Sequence, residues 1–151
     1  MLGRYAAGFV AAVLLMIIPV KYKGVSVAGR TESMVTAALD GAYREIRLEG
    51  MLTREILEKM ISGIALSGIP YEIEIEIGTV LTGKNTKELR IMYTSEIMEQ
   101  IDKSGSIAVY NCLVTLKAIP LRKGIGEKTA NLLWDSYIPE KIEISGGYIY
   151  G

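Results

Sequence analysis

The most regular titratable side chains in the chain are Glu72, Glu74 and Glu76, at alternate positions of Tyr71–Ile77 (YEIEIEI). On an extended strand they share one face, with successive carboxylates about 6.8 Å apart. A carboxylate row could hold a cation or exchange protons. One cation, however, needs its oxygens to converge at about 2.4 Å, and this spacing is far too wide. Tyr71, Ile73, Ile75 and Ile77 point the other way. The row therefore reads as the wet face of a half-buried sheet, balanced across strands by lysine or arginine, and as a guard against stray edge pairing.

The remaining chemistry is limited by composition. The chain has no histidine and one cysteine, Cys112. A Ser–His–Asp or Cys–His engine is excluded, as are a histidine metal site and an intrachain disulfide. Without a base, Cys112 reads as a small core residue. We expect no enzyme activity, no metal, no cofactor and no small-molecule substrate. Leu121–Trp134 (LRKGIGEKTANLLW) is the most motif-like stretch. Its Gly124-Ile125-Gly126 turn, followed by Ala130, Leu132 and Leu133, resembles the hairpin of helix-hairpin-helix DNA-binding modules. That resemblance implies a phosphate held by Lys123, Gly124, Gly126 and Lys128, and a membrane-tethered DNA-binding protein as the alternative function. The plainer alternative is a glycine turn and a short segment packing Leu132, Leu133 and Trp134 on the sheet.

The element that governs where these residues sit is the apolar run Tyr5–Val20 (YAAGFVAAVLLMIIPV), sixteen residues without a charge. As a helix it spans about 24 Å, against a hydrocarbon core of ~30 Å. Arg4 and Lys21 with Lys23 flank it and can extend it by snorkelling. The run reads as a membrane anchor, ahead of a cleaved signal peptide and a buried soluble helix. Its candidate membrane and assembly residues are Tyr5, Gly8, Phe9, Val13, Leu14, Leu15, Ile17, Ile18 and Pro19. Small residues such as Gly8 permit close helix–helix approach in lipid, and Pro19 should kink or end the helix unless a neighbour compensates. Charge divides along the chain. Residues 1–30 hold four basic residues and no acid, while the other thirteen basic residues face seventeen acids, leaving the body at −4. A basic collar suits lipid headgroups, and an acidic body argues against non-specific nucleic-acid binding.

Gly24–Arg30 (GVSVAGR) is small and flexible, either a linker or a weak helical turn. Thr31 is placed as the cap of a helix to Glu49 with Met34, Val35, Ala38, Leu39, Ala42, Tyr43 and Ile46 on one stripe. Gly50 ends it. Thr53 starts a second helix whose apolar face is Ile56, Leu57, Met60, Ile61, Ile64 and Ala65, stopped by Gly68. After the strand Tyr71–Ile77 come a turn (Thr82–Lys87) and a strand (Leu89–Tyr93). A helical turn follows, capped by Thr94 and ended by Gly105. Ile107–Lys117 reads as one strand, with Tyr110, Cys112, Val114 and Leu116 on one face and Val109 and Leu113 on the other. Lys141–Ser145 reads as a last strand. The expected fold is α+β: a single transmembrane or assembly helix with its linker (1–30), then two amphipathic helices packed on a small antiparallel sheet in an extracytoplasmic domain (31–151).

This order resembles pilin-like and pseudopilin-like proteins, in particular the tight-adherence (Tad-type) pilin-like family of Gram-positive bacteria. Thr31–Ile77 carries the resemblance: a helix ending at Gly50, a second opened by Leu52-Thr53, then Gly68 and Tyr71 leading into an alternating strand. It implies a non-enzymatic structural subunit, single-pass in the cell membrane with its C-terminal domain outside the cytoplasm. Such a subunit assembles through its first helix with copies of itself and other pilus or secretion subunits.

Overall fold

The computed structural model describes residues 2–82, 87–121 and 141–145. A single helix, α1, runs from Leu2 to Glu49. It comprises 48 residues. Two expectations are corrected here, for Gly24–Arg30 and for Thr31, and one is narrowed, for Pro19. Gly24–Arg30 is helical, not a linker: an isolated glycine costs ~1 kcal/mol relative to alanine, and propagating a helix is far easier than nucleating a new one. Pro19 lies inside α1 and does not end it. Thr31 is not a cap but a buried interior residue whose hydroxyl donates to the Val27 carbonyl at 3.1 Å, back-bonding within the helix. Among the described residues, the chain divides into two compact units between Thr31 and Glu32.

In the second unit, α1 contributes Val35, Leu39, Ala42 and Ile46 to one hydrophobic core. Gly50 turns the chain with φ +65°, a conformation that glycine reaches without strain. Met51–Thr53 forms strand β1. Thr53 caps helix α2 (Arg54–Ala65), its hydroxyl accepting from the Ile56 amide at 3.3 Å. α2 buries Ile56, Leu57, Met60 and Ile64. Ile61 and Ala65 stay exposed, so the apolar face is narrower than its periodicity suggests. The two helices approach closely where a Cβ on Gly63 would come within 3.0 Å of the Ala38 Cβ.

β2 (Tyr71–Thr82) is longer than the alternating stretch alone indicates. It is the hub of a four-stranded antiparallel sheet of order β3-β2-β5-β6, with β3 spanning Lys87–Tyr93, β5 Cys112–Pro120 and β6 Ile142–Ser145. Helix α3 (Thr94–Ser104) follows and ends on Gly105 at φ +80°. Thr94 does not cap it. The N-cap is Tyr93, without a side-chain bond, and the Thr94 hydroxyl is used elsewhere. It accepts from the Ile75 amide at 2.7 Å and donates to the Ile75 carbonyl at 3.3 Å. It thus replaces a strand partner where β3 has left β2.

The expected strand Ile107–Lys117 is two strands. β4 (Ser106–Ala108) pairs with β1 in a separate two-stranded sheet. Asn111, at φ +58°, then turns the chain into β5 (Cys112–Pro120); asparagine tolerates this region better than most residues. The break moves Tyr110 off the buried face of Cys112, Val114 and Leu116, and its hydroxyl donates to the Glu49 carbonyl at 3.1 Å. Val109 is fully buried, not on the half-exposed Leu113 face. β6 (Ile142–Ser145) closes the sheet against β5. The fold is α+β. Among the described residues, three helices serve the core, because α3 adds Ile97 and Ile101.

Candidate functional site

The first part of α1 is apolar on nearly every side. Val10, Val13, Leu14, Leu15, Met16, Ile18 and Val20 are all exposed, Leu15 by 72% and Met16 by 74%. Ile17 is half-buried and Pro19 exposed. Tyr5, Gly8 and Phe9 lie on the same helix. A helix apolar all round is stable only when something apolar surrounds it. Ala12–Glu49 contains a window long and apolar enough to cross a membrane, with 12% of it buried within the molecule. A core helix of a soluble domain is mostly buried, whereas the side chains described from Val10 to Val20 are largely exposed.

No protein-family model matches the chain, and no curated protein or solved structure shows significant similarity to it. The functional reading therefore rests on the chain's own chemistry.

The glutamate row lies on the outer face of the sheet, as expected. Register puts Glu74 opposite Lys117 and Lys117 opposite Glu143. Lys117, only 12% exposed, pairs with Glu76 and reaches Glu74 at 4.0 Å. Its ammonium is held above its usual range, first by the hydrogen bond to Glu76 and then by the nearby Glu143 and Glu74 charges, against the opposing effect of burial. The Glu143 carboxyl is pushed down by its hydrogen bond to Lys141, 2.6 Å away. Among the described residues, no three acidic, cysteine or histidine side chains gather as a metal would require. The row is a cross-strand charge ladder.

A cleft of about 520 Å³ opens beside the first half of β2, between Glu72–Glu76 and Tyr93, Thr94 and Met98. The Thr94 hydroxyl is already spent on the Ile75 backbone, and the glutamates project onto the sheet face. Cys112 is buried, with its sulfur 3.4 Å from the Thr79 hydroxyl, as a core residue should be. The candidate phosphate residues Lys123, Gly124, Gly126 and Lys128 lie outside the described residues.

One surface had no counterpart in the sequence reading. Leu89, Ile91, Tyr93 and Leu113 are exposed together on the outer face of the sheet. Register places Leu89, Ile91 and Tyr93 opposite Val80, Gly78 and Glu76, and Leu113 opposite Gly78. A Cβ on Gly78 would lie 3.5 Å from Leu89 and 3.7 Å from Leu113, so the glycine forms a bare floor between two leucines. Alternation in Leu89–Tyr93 puts three of these residues in phase. Only the register brings Leu113 beside them.

Proposed function

We propose that the chain is a non-enzymatic structural subunit of pilin-like or pseudopilin-like type, anchored in a membrane and assembled through the first part of α1. The observation that carries this reading is the helix from Val10 to Val20, apolar and exposed around nearly its whole circumference. Lipid, or copies of the same helix within lipid, supplies the environment it lacks. Arg4 precedes the run, and Lys21 and Lys23 follow it, as suits a segment bounded by headgroups. The α+β domain is carried outside the cytoplasm, and the partners are other copies and other subunits of a pilus or secretion apparatus.

Membrane fractionation tests this. The protein should stay in the pellet through an alkaline carbonate wash, and release by the wash would overturn the reading. Val13→Asp, a carboxylate in the middle of the run, should weaken insertion by about 2.5–3.5 kcal/mol and move protein into the soluble or aggregated fraction. Unchanged partitioning of that variant would equally defeat the anchor.

A further inference from the structure

The outer face of the sheet is divided. One corner, Leu89, Ile91, Tyr93 and Leu113, is apolar and exposed. The adjoining half of β2 carries Glu72, Glu74 and Glu76. Lys117 engages Glu76 and, more distantly, Glu74, so the three carboxylates of the row outnumber the one ammonium set among them and the row stays acidic.

The segment of α1 after the apolar run has the opposite character. At 100° per residue, Lys23, Val27 and Arg30 fall on one side of the helix, and all three are exposed. Tyr22, on the flank of the same side, is 76% exposed. This side is apolar and basic where the sheet is apolar and acidic. The first thirty residues carry four positive charges and no negative one, whereas the rest carries a net −4.

We propose that the sheet face of one copy receives the Tyr22–Arg30 segment of a second copy. Tyr22 and Val27 lie along the apolar corner around Gly78, and Arg30, one turn beyond Val27, reaches toward Glu74 of the row, while Lys23 stays at the headgroups. The inference rests on the anchored reading above, under which both surfaces follow the apolar run and so lie on the same side of the membrane. Apolar contact excludes water, and complementary charge sets orientation. Because the two surfaces differ, the contact is head-to-tail, and each copy keeps one donor and one acceptor face free for the next.

Disulfide trapping in the full-length protein tests the contact, in a Cys112→Ala background and neutral phosphatidylcholine vesicles, where no anionic lipid competes for the cations. Tyr22→Cys and Ile91→Cys protein, reconstituted together in equal amounts, should give a mixed dimer on oxidation. Arg30→Glu should lower its yield about two- to fivefold, as for an exposed ion pair. Glu74→Lys combined with Arg30→Glu should restore it. A Leu15→Cys homodimer serves as the control for assembly through the apolar run. If Leu15→Cys is trapped but the mixed dimer is absent, or only Ile91→Cys or Tyr22→Cys homodimers form, the head-to-tail contact is overturned and the assembly reading stands. A mixed dimer indifferent to both charge changes also overturns the proposed register. If Leu15→Cys is not trapped either, the assembly reading fails and this inference fails with it.

Discussion

At Lys117 three carboxylates, from Glu74, Glu76 and Glu143, bear on one ammonium that the sheet leaves 12% exposed. Replacing it with methionine keeps the aliphatic stem but leaves like charges facing one another. Lys117→Met should cost about 1–2 kcal/mol, the loss expected for a charge-assisted hydrogen bond at a partly screened site, read from the urea midpoint. The pH dependence has a definite sign. The Lys117 ammonium is raised above its usual 10.5, so its contribution is complete below that value and is lost as pH climbs through the raised one. The Glu143 carboxyl is lowered below 4.5, so its contribution holds above that value and fades as pH falls through the depressed one. Stability should therefore have a plateau with an acid and an alkaline shoulder, and Lys117→Met should flatten the alkaline shoulder. Gly50 is a second critical residue. Its φ of +65° is costly for any side chain, and a Cβ there would come within 2.0 Å of the Tyr110 ring. Gly50→Ala should destabilise by roughly 2 kcal/mol, combining left-handed strain with displacement of the Tyr110 hydroxyl from Glu49.

Among the elements, α1 is where sequence and structure part most sharply. Gly24, Gly29 and small residues between them look like a hinge because local propensity is weak there. Helix cooperativity overrides that weakness, and the segment continues α1. Ser26→Pro decides the point by measurement. In an exposed stretch of continuous helix it should cost about 3 kcal/mol and reduce helical ellipticity, whereas in a linker it would leave both unchanged. Features written in strong local chemistry were legible: the Thr53 cap, the Gly50 and Gly105 turns, the alternating β2 and the cross-strand lysine for its glutamates. Features that depend on non-local pairing were not. Asn111 breaks an apolar run that reads as one strand, because β4 is claimed by β1. Thr94 forgoes its expected cap because the Ile75 backbone has lost its neighbour there. In the candidate site, the apolar run was plain from composition alone. The apolar corner of the sheet, by contrast, exists only through the β2–β3 and β2–β5 registers.

For the whole molecule, α1 serves two roles along its length: an exposed apolar run, then one wall of the domain core. Ile142 and Ile144 of β6 pack against the core that Val35, Leu39 and Ile46 help to form. About a hundred residues separate them in the chain. At a synthesis rate of ~5–20 residues per second, the apolar stripe of α1 waits roughly 5–20 s for the strand that completes its surroundings. During that interval the apolar run of the same helix has already left the ribosome. Under the anchored reading, whatever escorts the nascent chain to the bilayer must shield the core face of α1 while delivering its apolar run, or the two greasy halves of one helix will compete for the same lipid.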